Sequence, residues 1–315
     1  MDVYSILTKE LGVGKIKHEK DLFTSLTLRT HTIAEFYFEA RSKVELINSI
    51  SVCLANEISF TLIGGGSNIV FKSSRVMGLT IKNCYEKIQV MQEDEDTVDL
   101  LVSSGYIVSR LISSTVEKGW AGFEYHKGLP GTVGGAIFMN SKWMKPESYF
   151  GDCLIRADII DLKGMVRTVA RSYFKFAYDF SILQKTGERF IEGVFKMKKE
   201  DPEKLQRRAD DALAYRKLTQ PFGVATAGCF FRNISEDDKR RLHLKTTSSG
   251  YLIDQCGLKK YRIGDFEVSP IHANFIVNVG KHVSRSEDLI ELVTYIKLKV
   301  KEKYHIDLIE EVAIT

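Results

Sequence analysis

The chain has 315 residues, of which 44% are hydrophobic and 27% are charged, a composition typical of a soluble globular protein. A formal net charge of +4 is spread along the sequence, so it gives no indication of nucleic-acid binding and only weakly favours an anionic small ligand. A chain of this length is expected to form about two domains and to bury its core without disulfides or metals.

The cysteines and the hydropathy pattern indicate where in the cell the protein is located. Five cysteines, at 53, 84, 153, 229 and 256, are odd in number and show neither metal-ligand nor CxxC spacing, which predicts reduced thiols and no metal site. The N-terminus has the pattern of an amphipathic helix rather than a signal peptide, and no apolar run is long enough to span a bilayer. We expect a cytoplasmic monomer that binds neither membranes nor nucleic acid.

Taken in chain order, the predicted elements mix short strands with isolated helices. Alternating or short apolar runs predict strands at 34–40, on both sides of a glycine loop within 59–71, and at 79–82, 88–91, 99–103, 155–161, 165–169, 190–197, 275–279 and 307–314. Helical spacing predicts helices at the N-terminus and at 42–56, 108–118, 198–217, 252–258 and 284–304. Ser284 and Glu287 are expected to form a capping box at the start of the last helix. This order predicts an α+β fold rather than a regular βαβ winding.

Two glycine-rich segments carry the first indication of function, GGGSN at 64–68 and GLPGTVGGAIFMN at 128–140. Glycine lets a backbone lie close to a ligand, Pro130 stiffens the bend, and the exposed N–H groups suit phosphate oxygens. The first segment matches neither the Walker A loop nor the dinucleotide fingerprint. Alone, the second is interpreted equally well as a tight turn before a buried strand at 136–139. The pair favours a phosphate cradle.

Five blocks, in order and spacing, resemble the UDP-N-acetylenolpyruvoylglucosamine reductase family. They are LIGGGSNIVF at 62–71, GFEYHKGLPGTVGGAIFMN at 122–140, QPFGVATAGCFFRN at 220–233, GYLIDQCGLKKYRIGDFEVSPIHANFIVN at 250–278, and the acidic terminal segment. The resemblance extends from about residue 26 to the C-terminus and is closest to the shorter of the family's two types. It implies a two-subdomain FAD-binding fold of the vanillyl-alcohol-oxidase/PCMH-like type, followed by an α+β domain for the UDP-sugar.

The resemblance also implies domain limits and an activity. The expected domains are 1–82 and 83–198 for the FAD-binding subdomains, 199–303 for the UDP-sugar domain, and 304–315 for a C-terminal strand with a catalytic glutamate. NADPH would reduce FAD, and the enolpyruvyl sugar would then be reduced to UDP-N-acetylmuramate for peptidoglycan synthesis, with roles in cell-wall biogenesis, cell shape and division.

The resemblance assigns residues to the two ligands. The expected FAD-binding residues are Gly64, Gly65, Gly66, Ser67, Asn68, Gly128, Pro130, Gly131, Thr132, Gly134, Gly135, Ala136 and Asn140. The expected substrate-binding residues are Tyr178, Arg216, Lys217, Gln220, Arg232, Asn233, His272 and Asn274. A lone histidine on a strand such as 275–279 is also compatible with a structural role.

The resemblance implies that two residues take part in proton transfer. Cys229 stands where the family usually has a serine, and a thiol with a free pKa of about 8.5 is protonated at neutral pH. Outside this motif, a cysteine flanked by phenylalanines would be interpreted as a small buried hydrophobe. Glu311 aligns with the glutamate of the family's last strand, whereas the neighbouring Glu310 is interpreted as a solvated strand residue.

One position departs from the family pattern in a way that affects catalysis. The family has a Tyr-Arg-x-Ser pattern whose arginine faces the substrate carboxylate, and this chain has Asp179 in the arginine's place. A cation facing a developing negative charge is worth a few kcal/mol, or about a hundredfold in rate. A carboxylate at this position is expected to slow the reaction unless Arg171, Arg189 or Arg232 supplies the charge.

Two other functions remain open at this stage. Asp179 allows a degenerate relative that binds FAD or the UDP-sugar without efficient turnover. An oxidase on the same flavin fold would produce hydrogen peroxide, although the Cys229 loop and the HANFIVN block at 272–278 speak against it.

Overall fold

The computed structural model describes residues 2–280 and 284–315. The chain forms two compact units, each assembled from several segments. The first comprises Met1–Lys20, Glu35–Gly65 and Met77–Arg216, and the second comprises Asp21–Ala34, Gly66–Val76 and Lys217–Thr315. Among the described residues, none of the helices combines the length and apolar character that crossing a bilayer requires. The same residues contain no cluster of His, Cys, Asp and Glu suited to a metal ion.

The helices and strands are short and mixed along the chain. The helices are α1 Val3–Leu11, α2 Lys43–Ala55, α3 Val108–Glu117, α4 Val133–Met139, α5 Leu183–Thr186, α6 Pro202–Thr219, α7 Glu236–Arg241, α8 Ser249–Gln255 and α9 Ser286–Tyr304. The strands are β1 Lys17–Asp21, β2 Ile33–Ala40, β3 Phe60–Ile63, β4 Ile69–Val70, β5 Arg75–Asn83, β6 Ile88–Glu93, β7 Thr97–Ser103, β8 Trp120–Ala121, β9 Lys142–Met144, β10 Glu147–Tyr149, β11 Leu154–Ile160, β12 Val166–Ala170, β13 Arg189–Lys199, β14 Ala225–Cys229, β15 Arg262–Ile263, β16 Phe266–Val268, β17 Phe275–Asn278 and β18 Ala313–Ile314.

The first unit is built on two sheets, each with its own core. One sheet has the order β1-β2-β5-β3, and the larger has the order β12-β11-β13-β7-β6, with β8 paired to β13. β13 lies between β11 and β7 and contacts α2 and α4, so it is buried from Phe190 to Phe195 and again at Met197. Helix α3 packs its stripe of Val108, Leu111, Ile112 and Val116 into the larger core.

The second unit has a sheet of order β14-β17-β16-β15 and a pair of short strands, β4 and β18. Its core contains α9 residues spaced by three and four, namely Leu289, Leu292, Val293, Ile296 and Val300. This spacing places them on one face of the helix, where burial of aliphatic side chains is the main source of stability.

Several sequence predictions are wrong in their local detail. Residues 136–139 belong to helix α4 rather than to a strand. The terminal strand is limited to β18, preceded by an isolated bridge between Phe231 and Glu310. Helix α9 starts at Ser286 with Arg285 as its N-cap and without a side-chain capping bond, so the expected Ser284 capping box is absent.

The expected domain limits stay a prediction. The sequence suggested a boundary at 198/199, but helix α6 contributes Leu205 and Ala209 to the larger core of the first unit. These apolar residues recur on one helical face and pack under the larger sheet, which ties the start of α6 to the first unit.

Candidate active site

The two glycine-rich segments approach each other closely within the first unit. A Cβ atom on Gly65 would lie 2.5 Å from the Cα atom of Gly131, and one on Gly64 would lie 2.4 Å from the Oγ1 atom of Thr132. The ammonium of Lys82 donates to the carbonyl of Gly64 at 2.6 Å. Because any side chain at Gly65 would strike backbone, only glycine permits this approach. The structure therefore brings together two segments that are about 65 residues apart in the sequence.

The surface of this contact carries unused hydrogen-bond donors. Among the residues that the structure describes, the backbone N–H groups of Gly64, Gly65 and Gly131 donate to no other protein group. Gly135 is exposed, and a Cβ atom there would meet nothing closer than the Thr132 Oγ1 atom, at 3.9 Å. Backbone N–H groups beside open space suit the oxygens of a pyrophosphate, so these residues fit the FAD that the sequence predicts.

Other residues of the 128–140 segment contact protein and give the loop its shape. Gly128 has φ +83° and lies against the side chains of Leu213 and Arg216 in helix α6. Gly134 donates its N–H to the carbonyl of Ser104 at 2.8 Å. Ala136 is buried, and Pro130 lies within the bend. These contacts give Gly128, Gly134 and Ala136 a structural task, and their predicted part in FAD binding stays a prediction.

Asn140 ends helix α4 and fastens the loop to a turn that carries two predicted site residues. Asn140 adopts the left-handed conformation at φ +48°, accepts the Gly151 N–H at 3.1 Å and donates to the Ala177 carbonyl at 3.0 Å. Ala177 and Phe180 exchange backbone hydrogen bonds, so 177–180 is a tight turn with Tyr178 and Asp179 at its centre.

The backbone conformation of the turn suits an aspartate at position 179. The φ of Asp179 is +48°, a conformation that Asp tolerates better than most side chains, and its carbonyl accepts the Gln184 amide at 3.0 Å. The residue is buried, with 6% of its surface exposed. The conformation of the turn therefore accounts for an aspartate at this position. The catalytic role of Asp179 stays a prediction.

In the second unit, the end of the GGGSN segment pairs with the C-terminal residues. The amide of Asn68 donates to the Glu311 carbonyl at 3.4 Å, and the Asn68 carbonyl accepts the Ala313 N–H at 3.0 Å. Beyond Asn68, β4 runs parallel to β18. Gly66 has φ +69°, and a Cβ atom there would strike the Ser25 carbonyl oxygen at 2.0 Å, so glycine is required.

The Cys229 loop is a neighbour of the same C-terminal residues. The N–H of Glu311 donates to the Phe230 carbonyl at 2.9 Å, and the N–H of Arg232 donates to the Ile309 carbonyl at 2.8 Å. The pairing of β14 with β17 shifts register between Thr226 and Cys229, where Gly228 has φ +85°. Such a bulge re-aims the following side chain, and the Cys229 side chain is half-buried at this point.

Asn274 holds this loop in place from the neighbouring strand. Its side chain accepts the Phe231 N–H at 3.0 Å and donates to the Phe231 carbonyl at 2.7 Å, while its own carbonyl accepts the Phe230 N–H at 2.8 Å. His272 accepts the Asn274 N–H on Nδ1 at 3.2 Å, and burial lowers the pKa of its imidazole. Both side chains bond to protein, so these contacts support a positioning role, and their predicted substrate contact stays a prediction.

The remaining predicted substrate residues lie along helix α6 and beside the Cys229 loop. The Arg216 guanidinium lies 5.3 Å from the centre of the Trp143 ring, and the Lys217 ammonium lies 5.3 Å from that of Phe222. Asn233 accepts the Ser249 N–H at 3.4 Å. The positions of Gln220 and Arg232 flank this loop in sequence, and all five assignments stay predictions. Glu310 does not fit its interpretation as solvated, because it pairs with Lys297 at 2.7 Å, which helps to lower the pKa of its partly buried carboxyl.

His126 is a residue of this region to which sequence analysis gave no role. Its ring is fully buried and packs edge-on against Phe150, with 5.4 Å between ring centres. Within residues 2–280 and 284–315, neither ring nitrogen has a hydrogen-bond partner. Burial, with a smaller contribution from the Arg216 cation, lowers the pKa of His126 to about 3. The ring is therefore neutral in the folded protein at any pH near neutrality.

We predict that His126 makes the protein less stable as the pH falls below 6.5. The unfolded histidine has an ordinary pKa of 6.5 and binds a proton below it, while the folded one does not until about pH 3. Unfolding is thereby favoured in this window, by about 2 kcal/mol at pH 5. Urea unfolding of His126→Leu at pH 7.5 and pH 5 should show a correspondingly smaller loss of stability on acidification than the parent protein. Equal losses would contradict this account.

Comparisons with known proteins identify the family of both parts of the chain. Residues 34–170 match the family model described as an FAD binding domain, and residues 220–315 match that of the UDP-N-acetylenolpyruvoylglucosamine reductase C-terminal domain. The reductase of that name from Protochlamydia amoebophila is 33% identical over 89% of this chain and 87% of the relative. The chain belongs to the UDP-N-acetylenolpyruvoylglucosamine reductase family. The Bacillus subtilis member is 31% identical over 97% of this chain and 96% of its own length.

Solved structures support the same conclusion about fold. The reductase of Thermus caldophilus superposes with a TM-score of 0.75 at 26% identity, covering 95% of this chain and 99% of that one. The grass pollen allergen Phl p 4, which has glucose dehydrogenase activity, matches with a TM-score of 0.51 at 11% identity, covering 99% of this chain and 58% of its own, and shows the fold alone. The predicted family, the α+β FAD-binding fold and the class of FAD-containing oxidoreductase are confirmed.

Proposed function

We propose that this protein is the NADPH-dependent reductase that converts the enolpyruvyl ether of UDP-N-acetylglucosamine into UDP-N-acetylmuramate. Beyond family membership, one structural observation supports the proposal most directly. The N–H of Glu311 donates to the carbonyl of Phe230 at 2.9 Å, so the two predicted proton-managing residues, about 80 positions apart in sequence, belong to hydrogen-bonded neighbouring segments. Such a convergence is what a reaction needs when a proton must reach one defined carbon.

The reaction adds a hydride and a proton across a carbon–carbon double bond. Bound FAD, reduced by NADPH, would provide hydride chemistry at this site. Cys229 gives its thiol proton to the other carbon of the bond, and the resulting thiolate then recovers a proton from solvent. The Glu311 N–H bonds to the carbonyl of Phe230, the residue after Cys229. In this proposal the Glu311 carboxyl holds a water or orients the enolpyruvyl carboxylate.

In this proposal, backbone groups of the two glycine-rich segments bind the pyrophosphate of FAD. Gly64, Gly65 and Gly131 offer backbone N–H groups to the pyrophosphate, and Gly135 leaves open space beside them. Gly66, Ser67 and Asn68 continue the first segment and complete the predicted set. For the sugar nucleotide, Arg216, Lys217 and Arg232 supply cations suited to a diphosphate.

The cellular setting follows from this activity. UDP-N-acetylmuramate is a peptidoglycan precursor, so we place the protein in cell-wall biogenesis, with consequences for cell shape and division. Its substrate and NADPH are cytoplasmic small molecules, and we propose a cytoplasmic monomer that works without a membrane or nucleic-acid partner.

The proposal is tested by purifying the protein and measuring its spectrum and its oxidation of NADPH. We expect a yellow protein with bound FAD, whose NADPH consumption depends on the enolpyruvyl sugar. FAD binding without turnover would instead indicate the degenerate relative, in which case Asp179→Arg should raise the rate. Hydrogen peroxide produced in proportion to NADPH would indicate an oxidase. A protein that binds no flavin would contradict all three.

A further inference from the structure

A short hairpin beside the glycine loop presents a lysine to the turn that contains Tyr178 and Asp179. The hairpin pairs β9 with β10, and Lys142 lies opposite Tyr149 in its register. The Lys142 ammonium lies 5.2 Å from the centre of the Tyr149 ring and 5.5 Å from that of Tyr178. A cation held over two aromatic faces is favourably placed and keeps its charge.

The Lys142 side chain is sheltered although its hairpin is on the surface. Only 15% of the side chain is exposed, and its ammonium pairs with Glu147 at 2.6 Å. Burial alone would lower the pKa of this lysine, but hydrogen bonds with Glu147 and Tyr149 outweigh it and raise the pKa. Glu147 is itself 62% exposed, so its hold on the lysine is weakened by solvent, and an anionic ligand can compete for the ammonium.

The opposite face of the hairpin is anchored. Trp143 points away from Lys142 and is buried, with its ring edge-on to Tyr215 at 5.8 Å and beneath the Arg216 guanidinium at 5.3 Å. Its indole N–H donates to the Lys145 carbonyl at 2.7 Å. Because side chains alternate along a strand, fixing Trp143 also fixes the direction in which Lys142 extends.

The turn is attached to the end of the glycine-loop helix. Asn140 donates to the Ala177 carbonyl at 3.0 Å, and Ser181 donates to the Phe138 carbonyl at 2.7 Å. Lys142 follows Asn140 by two residues. The lysine, the tyrosine turn and the end of the 128–140 segment are thus parts of one connected structure within the first unit.

The reaction requires a cation near the reacting carbons. Hydride addition to a double bond conjugated with a carboxylate builds negative charge on that carboxylate. Two arginines that the sequence offered for this task are engaged elsewhere. Arg171 donates to the Gly151 carbonyl at 2.9 Å and pairs with Asp152 at 3.2 Å, while Arg189 donates to the Gly187 carbonyl and lies over Phe60. Asp179 stands where the family has its arginine and supplies no cation to this turn.

We infer that Lys142 is the cation of the first unit that binds the enolpyruvyl carboxylate and stabilises the charge that develops on it. This inference rests on the proposed function, since it names the residue that recognises the carboxylate of that substrate. The ammonium exchanges Glu147 for the substrate carboxylate, and Tyr178 provides the wall that orients it. No bond is formed or broken at Lys142, and its proton stays on the nitrogen.

The kinetic test uses Lys142→Met and Lys142→Arg in the purified holoenzyme, with Lys145→Met as a control on an exposed lysine of the same hairpin. We expect Lys142→Met to slow oxidation of the reduced flavin by the enolpyruvyl sugar by about a hundredfold. Reduction of the flavin by NADPH should remain within about twofold of the parent rate. Lys142→Arg should recover most of the loss, and the control should behave as the parent.

A binding measurement separates recognition of the carboxylate from a change in folding. UDP-N-acetylmuramate carries the carboxylate and UDP-N-acetylglucosamine lacks it. Calorimetry should show Lys142→Met weakening the first ligand at least tenfold while leaving the second within about twofold. Equal weakening of both ligands, a loss that arginine does not restore, or an unchanged rate would overturn the inference. Failure of the parent protein to reduce the enolpyruvyl sugar would instead refute the proposed function.

Discussion

Replacing Cys229 with alanine is expected to lower the turnover number for the enolpyruvyl sugar by about 10²–10⁴-fold, the range for loss of a general acid. Reduction of the flavin by NADPH requires no proton from this residue and should change by less than about twofold. The two half-reactions can be followed separately by stopped-flow absorbance of the flavin. Cys229→Ser should keep more activity than alanine, since a hydroxyl can still deliver a proton.

Cys256 provides a matched control for this prediction. It is a half-buried thiol of the same unit, and its sulfur lies 3.6 Å from the Lys299 carbonyl oxygen. Cys256→Ala should therefore leave both half-reactions unchanged. If Cys229→Ala retained the parent turnover, the proton would have to come from another group, and Glu311 would become the first candidate.

The second large effect concerns the open space beside Gly135. Gly135→Val should weaken FAD binding by about 100-fold or more, because a branched side chain would project into the volume assigned to the cofactor. The folded protein without flavin should be no less stable, since valine is at least as good as glycine within a helix. Outside the helix's own backbone, the described atom nearest to the added Cβ is Thr132 Oγ1, at 3.9 Å. Fluorescence titration with FAD and thermal unfolding of the flavin-free protein measure the two quantities.

Ser113→Val is a suitable control for the Gly135 variant. Ser113 is an exposed residue of helix α3 in the same unit, so the substitution places the same side chain on a solvent-facing helix surface outside the 128–140 segment. It should leave FAD affinity unchanged. Parent-like FAD affinity in Gly135→Val would show that the cofactor does not occupy this space.

Much of the fold could be predicted from local patterns because those patterns had a single physical meaning. Apolar spacing predicted the helix at 108–118 and the strands at 155–161 and 165–169, and the structure has α3, β11 and β12 there. Residues 136–139 were ambiguous because a short apolar run suits a buried helix as well as a strand. The terminal segment alternates like a strand, but its backbone bonds are divided between two partners. Ile309 and Glu311 bond to the 230–232 segment, whereas Ala313 and Thr315 bond to the segment of β4.

The site was only partly accessible to sequence reasoning. Glycine content indicates where backbone can approach a neighbour closely, and the structure shows Gly65 and Gly131 in such an approach. Glycine content could not show that Asn274 is engaged by the backbone of Phe231, because such a bond depends on two strands that lie far apart in the chain. His126 escaped notice since a histidine beside a loop gives no signal of its burial.

The role proposed for Lys142 could not be predicted from the sequence either. In the sequence Lys142 is one charged residue among many in a polar stretch after the glycine loop. Its importance follows from the pairing of β9 with β10 and from the turn at 177–180, neither of which the sequence predicted. A departure from the family pattern at Asp179 therefore becomes interpretable only when its spatial neighbours are known.

The most direct test of the account is a single-turnover experiment under anaerobic conditions. The flavin is first reduced with one equivalent of NADPH, and the enolpyruvyl sugar is then added. We expect bleaching of the flavin band by NADPH, full recovery of that band on addition of the sugar, and one equivalent of UDP-N-acetylmuramate. A flavin that stays reduced in the presence of the sugar, and is reoxidised only when oxygen is admitted, would contradict it.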